Sequence, residues 1–194
     1  MGALLEPEES YVERLWHNLA DLEPHLPAHG PAALVNTRSA FAKAMVLAAG
    51  NWLERRTIQA LMDFANNASS EQTLVLLLKT SVLDRRFHTL FHWDSGKVNS
   101  FLGRFGTDFR QRVQEACREN EDVLRASRDF MRLVVERNEL AHSSRISDEA
   151  QFTPSEVRAK FYNAAGWVSW IGRFLIECQS ARKMSRLSAW KMSR

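Results

Sequence analysis

The sequence has few cysteines and no pattern typical of a β-sheet. Its two cysteines, Cys117 and Cys178, lie far apart in stretches of helical periodicity, which is typical of reduced thiols in a cytosolic protein. No stretch alternates polar and apolar residues with the period of two that a sheet needs. We therefore predict an all-α fold for the 194 residues, which are enough for one domain with a sizeable core.

The chain also lacks a long hydrophobic run and a targeting signal. Residues 1–9 are acidic and have neither the positively charged start nor the apolar run of a signal peptide. No segment approaches the length of about 20 apolar residues that spans a membrane. We expect a soluble, cytoplasmic protein without a membrane partner.

Residues that could bind a metal ion are sparse. His88 and His92 stand four residues apart, so on a helix both imidazoles can reach one metal ion. A third ligand is not apparent near them, and two partly buried histidines are the simpler interpretation. We predict no metal site and no cofactor.

Negative charge is missing from the C-terminal residues. After Glu177 the chain has no acidic residue and five basic ones, which leaves 21 basic against 23 acidic residues in positions 1–177. The near-neutral body and the basic tail allow a nucleic-acid partner without requiring one, because a basic footprint has to form on one face of the fold.

Helical periodicity and turn residues define the first elements. Apolar residues three and four positions apart predict an N-terminal helix at 8–22 and a long helix at 32–66, the latter continuous or broken at Gly50. Prolines between the two helices form a connector. The apolar run at 74–78 suits a buried strand or a buried helical turn, and we predict helix because no partner strand is evident.

Two short capped helices are predicted next, one after Asp94-Ser95-Gly96 and one at Thr107-Asp108. A long amphipathic helix at 120–142 follows them. The stretch Thr153-Pro154-Ser155-Glu156 predicts the start of the last helix at its proline, with threonine as N-cap and glutamate at the third position. The apolar face of this helix is wider than one partner helix requires, so part of it is expected to face a second subunit. The expected divisions of the chain are an N-terminal helix with a proline-rich connector at 1–30, a helical domain at 31–180 and a basic tail at 181–194.

The end of the helix at 120–142 turns from apolar to polar. Its apolar stripe through Met131 and Val135, extended by the same spacings, reaches Asn138 and then His142. Polar residues thus occupy positions that packing would give to apolar ones. Cations that complement the helix dipole are an alternative explanation of Arg137 and His142. That alternative does not explain why the stripe runs into polar residues.

Arg137 and His142 suit phosphate chemistry, because the guanidinium stays charged and the imidazole titrates near neutrality. On an ideal helix these two residues are about 140° apart, whereas Asn138 and His142 differ by about 40°. Arg137 must therefore reach around the helix, or the helix must loosen at His142.

The hexapeptide Arg137-Asn138-Glu139-Leu140-Ala141-His142 resembles the Arg-x4-His signature of the HEPN superfamily, small all-α domains that include many RNA-cleaving toxins and defence proteins. The stretch Gly50-Asn51-Trp52-Leu53-Glu54 and the Phe105-Gly106 turn resemble the RiboL-PSP branch of that superfamily. The resemblance covers residues 32–180. It implies an HEPN-like bundle of long core helices with short helices between them.

The same resemblance implies a metal-independent endoribonuclease that works as a homodimer through the motif helix and the last helix. The 2′-hydroxyl of RNA is then the nucleophile, and 2′,3′-cyclic phosphate ends result. His142 is expected to act as general acid or base, Arg137 to bind the phosphate, and Asn138 to orient the imidazole or the phosphate. Glu54 is a candidate to line the cleft and to help position Arg137.

Two other functions stay open: a non-catalytic HEPN-like module that binds RNA or a toxin–antitoxin partner, and a purely structural helical subunit. An antitoxin is a partner that the resemblance suggests. Family members silenced by AMP transfer often carry tyrosine two residues after the histidine, where this chain has Ser144, so that route of silencing is not expected. The basic tail is expected to recruit RNA through phosphate contacts.

Overall fold

The computed structural model describes residues 6–83, 98–142 and 151–192, apart from the side chains of residues 27, 29, 99, 142 and 182–192. The α-helices in these ranges are α1 (Tyr11–Leu22), α2 (Pro31–Ala68), α3 (Gln72–Leu78), α4 (Asn99–Gly103), α5 (Thr107–Glu119), α6 (Glu121–His142) and α7 (Pro154–Met192). Short 3-10 helices at Pro7–Glu9 and Glu23–His29 and a π-helical turn at Lys79–Leu83 complete them. The described ranges contain no strand, and the predicted all-α class is confirmed.

Helix α1 begins where the hydroxyl of Ser10 accepts a hydrogen bond from the Glu13 N–H at 3.4 Å, the usual role of an N-cap serine. Its apolar side packs against α2 and α7 and buries Val12, Leu15 and Leu19. The N-terminal helix predicted from periodicity is therefore present. The divisions proposed at residues 30 and 180 stay predictions.

Helix α2 runs without a break through Gly50. A glycine inside a helix costs about 0.5–1 kcal/mol relative to alanine. That cost does not interrupt a helix whose neighbouring side chains Ala49 and Leu53 are fully buried. The helix ends at Ala68, beside the polar run that predicted its end. The open choice at Gly50 is thus resolved in favour of one continuous helix.

Helix α3 is helical as predicted, but it is not buried. Leu74, Leu76 and Leu77 are each more than half exposed, and only Val75 is inside. The helix has seven residues and packs against the end of α2 with one side, so the rest of its surface stays in solvent. The expectation of a buried turn is therefore wrong.

The caps of the short helices differ from those predicted. Thr107 lies inside α5, and the N-cap is Gly106 at φ +97°, without a side-chain hydrogen bond. Glycine adopts that conformation without the steric cost that other residues meet. Asp94-Ser95-Gly96 lies outside the described residues, and α4 begins after Val98 without a side-chain cap. Helix α6 is capped by Asn120, whose Oδ1 accepts hydrogen bonds from two backbone N–H groups at 3.0 and 3.3 Å.

Helix α7 begins at Pro154 as predicted. The Glu156 N–H donates to Thr153 Oγ1 at 3.3 Å, and the Thr153 N–H donates to Glu156 Oε2 at 2.8 Å, which is a complete capping box. The helix then continues to Met192, through most of the basic tail.

The wide apolar face of α7 packs against two helices of its own chain, α2 and α6. The six positions that define this face are all buried: Val157, Phe161, Ala164, Val168, Ile171 and Leu175. Trp167 lies beside them with its ring centroid 4.6 Å from that of Phe130 on α6. The width that suggested a second subunit is therefore accounted for within one chain.

An ion pair between a buried carboxylate and a partly exposed guanidinium joins α1 to α7. Arg158 donates hydrogen bonds to both carboxylate oxygens of Glu13, at 2.6 and 3.1 Å, and Glu13 is 4% exposed. A buried carboxylate requires such a partner, because an unpaired charge out of water is costly.

In the described part of the chain, no helix is long and apolar enough to cross a membrane.

Candidate functional site

Helices α2 and α6 are closely packed where Gly50 meets Arg137. A Cβ atom added to Gly50 would lie 2.5 Å from Cγ and 2.9 Å from Cβ of Arg137. Both separations are far below van der Waals contact, so no other residue fits at position 50 without a shift of the helices. The aliphatic part of Arg137 thus lies directly against the backbone of α2.

Two amides hold the guanidinium of Arg137. Its Nη1 donates a hydrogen bond to Asn138 Oδ1 at 3.0 Å, and its Nη2 donates to Asn51 Oδ1 at 3.1 Å. Glu54 Oε2 is 3.6 Å from the same Nη2, an ion-pair distance too long for a hydrogen bond. The structure therefore brings together three of the residues predicted for the site, Arg137, Asn138 and Glu54.

The guanidinium remains accessible to a ligand. The Arg137 side chain is 28% exposed and the Glu54 side chain 35% exposed. A guanidinium has five N–H donors, and the hydrogen bonds of Arg137 to described residues are those to the two amides. A phosphate or carboxylate can bind the outer edge in the two-pronged geometry that arginine favours. Such an anion would compete with the Glu54 carboxylate for the positive charge of the Arg137 guanidinium.

Gly50 and Asn51 are contributors whose roles the sequence did not indicate. Asn51 is 86 positions from Arg137 in the chain, so no local spacing links them. A usable signal exists in the spacing of α2 itself, because positions 50, 51 and 54 lie on one side of a helix. Glu54 on that side was a candidate from the sequence, whereas Gly50 was considered only as a point at which the helix is continuous or broken.

His142 is the last residue of α6, and its side chain is outside what the structure describes. Its backbone lies one helical turn beyond Asn138, which is half-buried at the end of the apolar stripe.

Two carboxylates on α6 bind the start of the segment that leads to α7. Glu136 is 5% exposed and accepts a hydrogen bond from the Gln151 backbone N–H, while Glu139 Oε2 accepts one from Gln151 Nε2 at 3.4 Å. Burial raises the pKa of Glu136, the hydrogen bond from Gln151 opposes that change, and the nearby Glu139 charge adds to it. The residue that precedes α7 by three positions is thus held against the motif helix.

The remaining sequence candidates contribute little to this site. His88, His92 and Ser144 lie outside the described residues. Across 6–83, 98–142 and 151–192, no three histidine, cysteine or acidic side chains come together as metal ligands would. Both cysteines are free thiols, and burial raises the pKa of Cys117.

A concavity between α2 and α7 has a volume of about 350 Å³. Ala60 and Gly172 are among its lining residues and lie close together, since a Cβ on Gly172 would be 3.1 Å from the Ala60 side chain. Arg56 and Arg173 are among its lining residues, and Arg56 is already paired with Glu6 at 2.7 Å. None of the residues around Arg137 lines it, and its mixed charges favour no single class of ligand.

The position of Arg137 therefore rests on geometry within this chain, with Gly50 giving it room and two amides fixing its direction. Comparison of the chain with family models, curated proteins and solved structures gives no match.

Proposed function

We propose that this protein is a metal-independent endoribonuclease of the HEPN type, with Arg137, Asn138 and His142 as its site residues. One observation supports the proposal most. Helix α2 has no side chain at Gly50, and the aliphatic part of Arg137 occupies that space between the helices. Its guanidinium is bound by two amides and is partly exposed to solvent. A surface arginine that serves only the helix dipole has no need of such a setting.

The proposed reaction needs little from the protein besides proton transfer and charge stabilisation. The 2′-oxygen attacks the adjacent phosphorus, the bond from phosphorus to the 5′-oxygen breaks, and a 2′,3′-cyclic phosphate forms. His142 takes the proton from the 2′-hydroxyl or gives one to the leaving 5′-oxygen. Arg137 stabilises the charge that develops on the phosphate, and Asn138 fixes its direction.

A homodimer completes this proposal. Arg137 and His142 lie about 140° apart on an ideal helix, so one chain presents them to different sides. Two copies that meet through the ends of α6 would place an arginine from one chain near a histidine from the other. One imidazole can then act as the base and the second as the acid.

The test is cleavage of a labelled RNA in the presence of EDTA by the wild type, His142→Ala and Arg137→Ala. We expect either substitution to reduce the rate by at least 100-fold, the typical contribution of a general acid–base or an electrostatic group. The products should carry 2′,3′-cyclic phosphate ends, which acid treatment followed by phosphatase distinguishes from 3′-phosphates.

Arg118→Ala is the matched control, because Arg118 is an exposed arginine at the end of α5, at the opposite end of α6 from the motif. Its rate should equal that of the wild type. Equal cleavage by all four proteins would refute the assignment. Tight RNA binding without cleavage, unchanged by His142→Ala, would instead indicate the non-catalytic binding module, and no effect on RNA at all would indicate a structural subunit.

The proposal also includes an antitoxin as a protein partner and the basic C-terminal residues as an RNA-binding segment. Neither takes part in the chemical step. Residues 181–194 would recruit RNA through phosphate contacts, a contribution that weakens as the salt concentration rises. Removal of 181–194 should lower RNA affinity and its dependence on salt while leaving the rate at saturating RNA unchanged.

A further inference from the structure

The outer face of α6 carries three arginines in a row. Arg125, Arg128 and Arg132 are all exposed, and on an ideal helix they fall within about 60° of one another. The opposite face of the same helix is in the core, with Phe130, Leu133 and other apolar residues buried. We refer to these three residues as the arginine strip.

The charges of the strip are largely free to meet a partner. Arg125 forms an ion pair with Asp122 at 2.7 Å, but both side chains are more than 60% exposed, so the pair contributes little and exchanges readily with solvent. Neither Arg128 nor Arg132 forms an ion pair with a described residue. The exposed acidic residues near the strip are Glu121 and Asp122 before it and Glu139 after it, while Glu136, one turn beyond Arg132, is buried.

The strip leads toward the proposed site. Successive arginines are separated by about 4.5 and 6 Å along the helix axis, and position 142 lies about 15 Å beyond Arg132. Position 142 lies about 40° around the helix from Arg128 and about 80° from Arg132, whereas Arg137 lies about 140° from Arg132. A ligand that follows the outer face from Arg125 therefore reaches the side of α6 on which the motif ends.

We propose that the arginine strip binds the phosphate backbone of a nucleic-acid strand and delivers it to the end of α6. This inference rests on the proposed function and names the surface that holds the substrate. Repeated single charges of one sign, spaced along a line, fit a polyanion with regular phosphates better than they fit one small anion. Contacts of this kind position a strand without reading its sequence.

The experiment uses a strand that the proposed reaction cannot cleave. A fluorescent 20-nucleotide single-stranded DNA lacks the 2′-hydroxyl, and its dissociation constant is measured at several KCl concentrations with full-length protein. The strip variant is Arg128→Ala/Arg132→Ala. The control is Arg14→Ala/Arg118→Ala, which removes the same charge from exposed positions on α1 and α5.

Loss of two phosphate contacts should reduce the slope of log affinity against log salt by about 1.4, at about 0.7 per contact with a single strand. The control should keep the slope of the wild type. An RNA of the same sequence, measured with His142→Ala added to each protein to prevent cleavage, should give the same difference between variants, because the strip contacts phosphate and not sugar. In the cleavage assay the strip variant should raise KM and leave kcat unchanged.

An unchanged slope in the strip variant, or an equal reduction in the control, would overturn the proposal. A reduction for RNA but not for DNA would also overturn it, since the contact would then depend on the sugar. The proposed ribonuclease activity can fail while the slope still changes, which would leave a nucleic-acid-binding surface without catalysis. Matching thermal unfolding of both variants and the wild type ensures that altered folding does not imitate the result.

Discussion

Glu136 and Arg137 are neighbours in the chain with opposite surroundings. The arginine points to α2 and is partly open to solvent, while the glutamate is buried beside the start of α7. A carboxylate that is removed from water favours its neutral form, and the charge of Glu139 favours it further. Glu136 therefore carries a stability cost at neutral pH that its hydrogen bond to Gln151 only partly offsets.

We predict that Glu136→Gln raises the melting temperature at pH 8 and has a smaller effect at pH 4.5. The folded-state pKa of Glu136 is raised, so in the window above its ordinary value the folded protein binds more protons than the unfolded chain. Stability contributed by this group is thus present at low pH and lost as pH rises through the folded-state pKa. Glutamine keeps an oxygen for the Gln151 N–H and never ionises. Scanning calorimetry across this pH range is the measurement.

Glu115→Gln controls for the loss of one negative charge, since Glu115 is exposed on α5. A gain for Glu136→Gln that is the same at every pH, or a loss at pH 8, would contradict the burial argument.

At the scale of elements, the close contact between α2 and α6 depends on the absence of a Cβ atom at Gly50. We predict that Gly50→Ala destabilises the protein by about 1–3 kcal/mol, the usual cost of overpacking. Gly166→Ala should stabilise by up to about 1 kcal/mol, because its added Cβ meets no atom within 4 Å and alanine is the better helix former. Urea unfolding of both variants measures the difference.

A double substitution tests whether Arg137 is the cause. In an Arg137→Ala background, Gly50→Ala should cost less than in the wild type, because the Cγ atom 2.5 Å away is gone. Part of the strain should persist, since the Cβ atom at 2.9 Å remains. Additive effects of the two substitutions would show that the helices adjust elsewhere.

The same contact shows what periodicity can and cannot predict. The start of α7 was predictable because all the groups of its capping box lie within four residues. Gly50 was ambiguous because the sequence pattern is the same in two cases. A glycine in a helical pattern can break the helix, or it can leave room for a second helix to pack closely against it. The cap at Gly106 and the exposure of α3 were missed for related reasons, since a backbone angle and the neighbours of a short helix are not encoded in apolar spacing.

The residues of the candidate site also divide into those with a local sequence signal and those brought together only by the packing of helices. Asn138 and His142 were selected from the point at which an apolar stripe turns polar, and Arg137 from its spacing to His142, which are both local signals. The contact of Arg137 with Asn51 joins residues 86 positions apart, and the packing of whole helices decides it. Glu54 was a candidate to line the cleft and to help position Arg137, and its carboxylate lies 3.6 Å from the guanidinium.

At the scale of the molecule, the proposed dimer makes activity depend on concentration. The apolar face of α7 is already occupied by α2 and α6, so we place the proposed contact between copies at the end of α6. We predict that RNA cleavage per chain falls as the protein is diluted below the dissociation constant of the dimer. Rate measurements over a range of concentrations, alongside sedimentation velocity, test this. Constant activity per chain in a sample that sediments as a monomer would contradict it.

The pairing of Glu13 with Arg158 also has a consequence for synthesis. The two residues are 145 positions apart, so a ribosome that adds 5–20 residues per second needs about 7–30 s to travel from one to the other. Both residues cross the exit tunnel after the same delay, so Glu13 emerges earlier than Arg158 by that interval and waits without its ionic partner on α7. The rate of translation, more than the speed of helix formation, therefore sets when the two ends of this fold first meet.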